Sequence, residues 1–127
     1  MFEYRALVMA VHDGDTCTLH VDLGFNTWHE GPFRLVRCNA REIAELGGVE
    51  AKDNLSKLIY EQDLPVTLRS IKPNTPIQPD KYGERYLAEI ILPDGRNLTD
   101  WLIAQQWAAA WNGRGTKPLP PWPRTVG

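Results

Sequence analysis

The order of alternating and helical segments along the chain predicts an α+β fold, in which five strands form a barrel with two to three helices. Three strand-like segments come first, a helical segment follows, and two further strands precede a closing helix. This is the element order of the oligonucleotide-binding (OB-fold) barrel, a five-stranded Greek-key barrel. The predicted elements are strands at 6–11, 15–23, 33–38, 66–71 and 86–92, and helices at 47–62 and from about 97.

The second strand carries the clearest local pattern. Apolar and polar side chains alternate strictly from Asp15 to Leu23, which indicates a strand with one buried face. Asp13-Gly14 connects it to the first strand, and an Asp-Gly pair is a strong hairpin signal. The polar stretch 25–32 contains a Gly-Pro pair, so we expect a loop there before the third strand.

The helical segments follow a different period. Between 47 and 62, apolar residues recur at helical spacing, and Pro65 stops the segment. Closely spaced prolines predict an irregular loop from 72 to about 82, before the fifth strand. The last helix is expected to begin near Asn97, with Asp100 at the third position of a capping-box-like pair.

Size and composition limit the class of protein. The chain of 127 residues suffices for one core but not for two. Hydrophobic residues at 43% and charged residues at 24% are typical of a soluble globular protein. A net charge of −2 excludes a general basic coat for nucleic acid, so any such contact must be local. Without a long apolar run or a signal-peptide pattern, we expect no membrane association and a cytoplasmic location.

A change in composition predicts a boundary near residue 113. Residues 1–113 hold all the predicted strands and helices. Residues 114–127 are rich in proline around Trp122, which predicts an extended arm outside the core. Trp122 is expected to dock this arm either onto the barrel or onto a neighbouring molecule.

The cysteines and histidines carry no predicted site. Cys17 and Cys38 lack the close spacing of a zinc site and do not make a disulfide scaffold, so both are expected to be small buried residues. His12, His20 and His29 are unclustered, and we expect them at the surface without a ligand role.

Oxygen-bearing side chains at the predicted strand ends indicate a site for a hard metal ion. Ca²⁺ and Mg²⁺ both prefer oxygen ligands, and Asp15 at a strand start can face Glu42 and Asn39 at the end of another strand. Asp15 is therefore the primary candidate ligand, with the Asn39 amide and the Ala40 carbonyl as neutral donors. With so few anionic ligands, we expect weak binding of the free ion and dependence on substrate phosphate. The alternative is that the Asp13–Asp15 segment is simply a good turn.

Glu42, Arg34 and Arg85 are the candidate catalytic residues. Glu42 can accept a proton from a water beside the metal, and that water attacks phosphorus. The two arginines carry permanently charged forks that bind two phosphate oxygens each and suit a charge that grows in the transition state. As alternatives, Glu42 starts the following helix and Arg34 is a surface charge on an edge strand. Arg85 can instead pair with Asp80 or Glu84.

Three further residues are candidates for contact with nucleic acid. Lys81 can bind the outgoing strand, and Tyr82 can donate a hydrogen bond to phosphate or stack on a base. Trp111 can offer a stacking face, whereas Trp101 and Trp107 are expected to belong to the core. Unpaired bases can enter a shallow groove, so the expected substrate is single-stranded or frayed nucleic acid.

The motifs stand in a specific order along the chain: Asp13-Gly14-Asp15-Thr16, Phe33-Arg34-Leu35-Val36, Asn39-Ala40-Arg41-Glu42, and Asp80-Lys81-Tyr82-Gly83-Glu84-Arg85-Tyr86-Leu87-Ala88. Together they resemble the staphylococcal nuclease-like (thermonuclease) family over roughly residues 3–111. The resemblance implies a barrel that cleaves DNA or RNA phosphodiesters with the help of calcium and leaves a 3′ phosphate. It also implies that Asp15 is a metal ligand, that Glu42 is the general base, and that Arg34 and Arg85 stabilise phosphate charge.

Three positions depart from the pattern of that family. Asn39 stands where the family has a second acidic ligand, Arg41 stands where it has proline, and Glu84 is an extra residue before Arg85. The first departure lowers the expected metal affinity, and the last can shift Arg85 by one register step. The Arg-Glu-Arg set is retained, which the family's non-catalytic nuclease-like repeats generally do not show.

The leading hypothesis is therefore a metal-dependent endonuclease that acts on DNA or RNA, with Ca²⁺ or another divalent cation such as Mg²⁺ as cofactor. The alternative is a catalytically weak or inactive module on the same barrel that binds nucleic acid or protein, because Asn39 fails to hold the metal. A third possibility is a structural barrel whose charged residues form only surface pairs.

Overall fold

The computed structural model describes residues 3–70, 77–79 and 85–126, and its strands form a closed barrel. The elements in chain order are β1 (Glu3–Asp13), β2 (Thr16–Asp22), β3 (Trp28–Leu35), β4 (Cys38–Ala40), α1 (Gly48–Leu55), β5 (Val66–Arg69), β6 (Gln78–Pro79), β7 (Tyr86–Ile91), α2 (Leu98–Ala104) and β8 (Ala108–Ala110). Strands β1, β2 and β3 form an antiparallel meander, and β5 joins the other edge of β1. Strand β7 pairs antiparallel with β5 and parallel with β3, which closes five strands into a barrel. The predicted α+β OB-fold architecture is confirmed.

The hairpin between β1 and β2 turns against α1. Asp13 pairs with Thr16, so Gly14 and Asp15 form the turn that the Asp-Gly signal predicted. A Cβ atom at Gly14 would lie 2.8 Å from the Cβ atoms of both Ala40 and Ala51. Only glycine lets the turn approach β4 and α1 this closely. This close approach holds the neighbouring Asp15 near β4 and α1.

The loop predicted at 25–32 is wrong over most of its length, because β3 begins at Trp28. Pro32 lies inside the strand and pairs with Thr18 of β2. The parallel ladder between β3 and β7 begins only at the next residue, Phe33, so proline precedes the part of β3 that is paired on both sides. The predicted second strand was also too long by one residue at each end: Asp15 belongs to the turn before β2, and Leu23 follows β2 and is exposed.

The third predicted strand, 33–38, is divided in two. Arg37 adopts a left-handed backbone conformation (φ 65°), which ends the run of β3 and starts β4 at Cys38. Strand β4 then pairs with β8 instead of with the barrel strands. The Arg37 side chain binds Glu89 and lies 2.9 Å from Asp100, so the break is tied to β7 and α2. This division carries Asn39 and Ala40 toward the β1–β2 turn.

The first helix is shorter and less regular than predicted. Regular α-helix ends at Leu55, and a π-helical turn continues from Ser56 to Tyr60. The predicted apolar face is confirmed, since Ala51, Leu55 and Ile59 are all buried.

The second helix begins where its cap predicts. The Asn97 side chain accepts a hydrogen bond of 3.1 Å from the backbone N–H of Asp100. Leu98 and Leu102 are fully buried, and Trp101 packs against the same core. The helix therefore covers the barrel with the face that its sequence predicts.

Part of the loop predicted at 72–82 forms a strand. Gln78 and Pro79 pair with Leu87 and Tyr86 of β7, so this stretch is not an irregular loop throughout. The other residues of that loop and Ile71, the end of the fourth predicted strand, lie outside the described residues, with the exception of Ile77.

Most core residues belong to the inner faces of the barrel strands and to α1 and α2. Cys17 and Cys38 are buried among them as expected, and burial raises the pKa of each thiol to about 12. His12 is exposed, whereas His20 and His29 are half-buried beside aromatic rings, which corrects the expectation for those two. Within the described ranges, no helix has the length and apolar character needed to cross a membrane.

Candidate functional site

A buried ion pair forms the centre of the candidate site. The Asp15 Oδ2 atom lies 3.0 Å from Nη1 of Arg34 and accepts a hydrogen bond of 2.9 Å from the backbone N–H of Ala40. Its Oδ1 atom accepts a hydrogen bond of 3.0 Å from the Thr16 hydroxyl. The side chains of Asp15 and Arg34 are only 5% and 11% exposed. Removed from solvent and bound from several sides, the carboxylate has a fixed position.

Arg34 connects β3 to β4 and to the chain after β8. Its Nη2 atom donates to the carbonyl of Cys38 (3.2 Å) and to Oδ1 of Asn39 (3.3 Å). The guanidinium carbon lies 5.7 Å from the centre of the Trp111 ring, within cation–π distance. Arg34 is therefore not a surface charge on an edge strand, because β3 is paired on both sides here and the side chain is mostly buried.

Asn39 uses both ends of its amide. Its oxygen accepts from Arg34, and its Nδ2 atom donates to the carbonyl of Pro118 at 3.0 Å. The residue is 3% exposed. The amide oxygen expected to face a metal thus faces a guanidinium, and the other end of the amide binds the C-terminal arm.

Glu42 lies at the outer side of this cluster. It follows Ala40 by two residues, and its backbone N–H donates to the Glu45 carboxylate at 2.6 Å. Its own carboxylate is exposed and lies 3.9 Å from Nζ of Lys117. The ammonium group of Lys117 is 5.8 Å from the centre of the Trp111 ring, the ring that Arg34 also contacts. Glu42 is therefore linked to the buried pair indirectly, because Lys117 lies near the Glu42 carboxylate and near the Trp111 ring that Arg34 contacts.

Arg85 approaches the same corner from the start of β7. Its Nη1 atom lies 3.5 Å from the Thr16 hydroxyl, which in turn binds Asp15. The parallel pairing of β7 with β3 brings the two arginines to one wall of the barrel. Lys81 and Tyr82, predicted to bind substrate, lie outside the described residues, as does the extra residue Glu84.

A pocket opens beside the buried pair. It has a volume of about 220 Å³, and its walls include Arg34, Cys38, Leu87 and Trp111. The Trp111 indole N–H donates to the carbonyl of Arg114 at 2.9 Å, which holds the ring in place. The pocket joins an aromatic wall to a guanidinium, the pair of groups that a base and its phosphate require.

Asp13 is a site residue that the sequence did not single out. Its carboxylate accepts a hydrogen bond of 3.0 Å from the backbone N–H of Asp15. Burial, followed by the nearby charge of Asp15, raises the pKa of Asp13 to about 6. Two carboxylates are therefore adjacent at the turn, and they repel each other when both are ionised.

The donor atoms fit a weakly held hard cation. Asp13 and Asp15 supply carboxylate oxygens, and a divalent cation would offset both the burial and the repulsion by Asp15 that raise the Asp13 pKa. Among residues 3–70, 77–79 and 85–126, no three acidic, histidine or cysteine side chains come together as a metal-binding group. The Asn39 oxygen is engaged by Arg34, so Asp13 is a better second donor than the predicted Asn39. Water and phosphate oxygens would have to complete the coordination.

Replacing Asp13 with asparagine is expected to change how stability depends on pH. Because folding raises the Asp13 pKa, the native state binds more protons than the unfolded state between pH 3.8 and about 6. The contribution of Asp13 to the free energy of unfolding should therefore fall across this range as pH rises, and Asp13→Asn should remove that contribution. Urea denaturation in the presence of a chelator, at several pH values, measures the difference in slope between the two proteins. Asp53→Asn, on the exposed face of α1, is the control, and equal slopes in Asp13→Asn and the wild type would contradict the raised pKa of Asp13.

The C-terminal arm, residues 114–126 of the described chain, packs on the barrel. Arg41 donates from Nε (3.1 Å) and Nη2 (2.7 Å) to the carbonyl of Pro120, which is buried. A Cβ atom at Gly47, whose φ is +84°, would lie 2.6 Å from the Trp122 ring, so the indole packs directly on this glycine. Trp122 thus docks the arm onto its own barrel, the first of the two expected alternatives, and the boundary near residue 113 stays a prediction.

Asn39 and Arg41 are two of the three residues that depart from the pattern of the resembled family. Both have a structural role, since each binds a carbonyl group of the arm. No local sequence signal predicts these contacts, which join positions 79 residues apart. Lys117 was missed for the same reason.

Comparison with protein-family models finds no match to this chain, and comparison with curated proteins finds none either.

Proposed function

We propose that the chain is a metal-dependent endonuclease that hydrolyses phosphodiester bonds in single-stranded DNA or RNA. One observation supports this most strongly: a mostly buried arginine, Arg34, lies between the Asp15 carboxylate and the Trp111 ring and lines a pocket together with that ring. An arginine held in this way is preorganised for a planar, charged group such as phosphate. The aromatic wall beside it suits an unpaired base.

The chemistry assigned to the site is displacement at phosphorus. Glu42 takes a proton from water as the water oxygen forms a bond to phosphorus, and the bond from phosphorus to the 5′ oxygen breaks. The 5′ oxygen leaves and gains a proton from solvent, so the phosphate stays on the 3′ side. Arg34 and Arg85 stabilise the negative charge that grows on the phosphate oxygens. Glu42 suits the role of base because its carboxylate is exposed to water.

The implied cation has its candidate ligands at the β1–β2 turn. Asp13 and Asp15 would hold it, and a bound Ca²⁺ or Mg²⁺ would supply positive charge to the phosphate and lower the pKa of a nearby water. The chain's own residues orient the substrate: Arg34 and Arg85 bind the scissile phosphate, and Trp111 stacks on an adjacent base. Lys81 and Tyr82 remain candidates for contact with the strand.

Removal of divalent cations is expected to abolish cleavage. Purified protein incubated with an end-labelled single-stranded oligonucleotide should give shorter products with Ca²⁺, should give none with excess chelator, and should recover when Ca²⁺ is restored. Mg²⁺ in a parallel reaction identifies the preferred ion. The matched control is Asp15→Asn, which removes a proposed ligand and should remain inactive with Ca²⁺. Equal product with and without chelator would contradict the metal dependence.

The second candidate function is a binding module without effective catalysis. It is favoured by Asn39, whose neutral amide is bound to Arg34 and Pro118 where the resembled family has an acidic ligand. The same experiment separates the two functions. A chain that retards the oligonucleotide in a gel but yields no product with either ion is a binding module.

A further inference from the structure

Lys117 is the arm residue that lies beside Glu42 of the candidate site. Directly after it, the carbonyl of Pro118 accepts the hydrogen bond from Asn39, and the carbonyl of Pro120 accepts the paired hydrogen bonds from Arg41. Proline fixes the backbone at both anchor positions, so the arm has little freedom to move away between them. These contacts hold the backbone of Lys117 beside Glu42.

The surroundings of the Lys117 side chain are those of a ligand contact. Its ammonium group lies 3.9 Å from the Glu42 carboxylate and 5.8 Å from the centre of the Trp111 ring. Arg34 contacts the same ring at 5.7 Å. A lysine and an arginine thus share the Trp111 ring, which lines the pocket, in a chain whose net charge is −2. Two cations lie here although each also faces a carboxylate, Arg34 that of Asp15 and Lys117 that of Glu42.

A purely structural role explains the Lys117 position poorly. Its side chain is 50% exposed and that of Glu42 is 64% exposed. Exposed pairs of this kind contribute little to stability, because water and salt screen them. A flexible, half-exposed ammonium next to the Trp111 ring, by contrast, can bind phosphate oxygens without rearrangement of the fold.

We infer that Lys117 binds the phosphodiester backbone of the substrate strand, and that Asn39 and Arg41 are positioning residues that hold the arm carrying it. The inference rests on the proposed function, since it names a further substrate contact of that site. The C-terminal arm is then part of the substrate-binding surface. Lys117 adds a third cation to Arg34 and Arg85.

Binding without cleavage tests the lysine directly. A fluorescent single-stranded oligonucleotide is titrated with full-length Lys117→Gln in excess chelator, and anisotropy is measured at several salt concentrations. The Kd should rise about fivefold to tenfold, and the slope of log K against log salt should fall by about 0.7, the loss of one phosphate contact on a single strand. With Ca²⁺, KM should rise while Tm stays unchanged. Lys57→Gln, an exposed lysine on the π-helical turn, removes the same charge and should leave all four quantities unchanged.

A double-variant cycle tests the positioning role. Arg41→Ala should raise the Kd by releasing the arm, and adding Arg41→Ala to Lys117→Gln should raise it no further, because both changes remove the same contact. Arg96→Ala, which breaks an exposed pair with Asp94, is the matched arginine control and should have no effect. Additive effects of Arg41→Ala and Lys117→Gln would overturn the positioning role of Arg41.

The outcomes separate this inference from the proposed function. If the wild type cleaves and Lys117→Gln has an unchanged Kd, KM and salt slope, the inference about Lys117 is wrong and the nuclease proposal stands. If the wild type neither binds nor cleaves the oligonucleotide, the proposed function fails and this inference fails with it. A raised Kd with unchanged Tm in Lys117→Gln supports the inference about Lys117, whereas only metal-dependent cleavage by the wild type supports the nuclease proposal.

Discussion

Replacing Glu42 with glutamine is expected to lower kcat by about 10²–10⁴-fold, the usual contribution of a positioned general base. Glutamine keeps the size of the side chain but cannot accept the proton from the attacking water. The backbone of Glu42 is held by Glu45 independently of the Glu42 carboxylate, so the local turn should persist. The affinity for an oligonucleotide measured with chelator should therefore change little. Single-turnover cleavage with saturating protein measures the chemical step.

The control for this substitution is Glu50→Gln, an exposed glutamate in the first turn of α1. It removes the same charge at another exposed position and should leave kcat unchanged. Turnover by Glu42→Gln equal to that of the wild type would remove Glu42 from the mechanism. Asp13, which lies at the β1–β2 turn, would then be the next candidate base to test.

The second large effect is expected from Arg34→Ala, which should lower the free energy of unfolding by about 3–5 kcal/mol. Removing the guanidinium leaves the Asp15 carboxylate buried at 5% exposure without its charged partner. It also breaks the hydrogen bonds to Cys38 and Asn39 that tie β3 to β4. Urea denaturation followed by circular dichroism measures the loss, and cleavage should disappear as well.

Two comparison variants show whether burial of the charge is the cause. Arg37→Ala removes an arginine that faces Glu89 and Asp100, but its side chain is 45% exposed and Asn97 still donates to the Glu89 carboxylate, so the loss should be smaller than in Arg34→Ala. Asp15→Asn added to Arg34→Ala should recover most of the lost stability, because no unpaired charge remains. It should not recover cleavage. Equal losses in Arg34→Ala and Arg37→Ala would mean that the Arg34 pair is not specially protected from water.

The barrel was predictable because its strands carry local patterns. The alternation that starts at Asp15 and the Asp-Gly turn fix the first hairpin, and the apolar spacing of Ala51, Leu55 and Ile59 fixes the buried face of the first helix. Five strands and two helices in this order leave few ways to close a barrel. The wrong predictions of strands and loops concern residues whose usual conformational preference was overridden by contacts with segments distant in the sequence.

Pro32 and Arg37 illustrate these errors. Proline usually marks a loop, but Pro32 is accommodated in β3 just before the parallel ladder with β7 begins. Arginine carries no turn signal, yet Arg37 takes a left-handed conformation between β3 and β4. Its contacts with Glu89 and Asp100 come from segments more than fifty residues later and balance the unfavourable backbone. Neither the placement of Pro32 in β3 nor the long-range contacts of Arg37 can be predicted from the neighbouring residues in the sequence.

The candidate site was predictable in its strand-borne part. Asp15, Arg34, Asn39 and Ala40 come into contact as expected, because hairpin register and strand ends bring them to the same end of the barrel. The arm and the raised pKa of Asp13 were not predictable in this way. The first depends on where a proline-rich segment docks, and the second on how far a carboxylate is buried, and both are properties of the complete packing.

The parallel pairing of β3 with β7 has a consequence for how the chain folds during its synthesis. One arginine belongs to a strand near the N-terminus and the other immediately precedes a strand some fifty residues later, so this corner of the molecule cannot assemble until the barrel closes. Such non-local contacts form late, after the entropy of closing a long segment has been overcome. A growing polypeptide on the ribosome would therefore hold the carboxylates and guanidinium groups apart until β7 has been synthesised and has paired with β3.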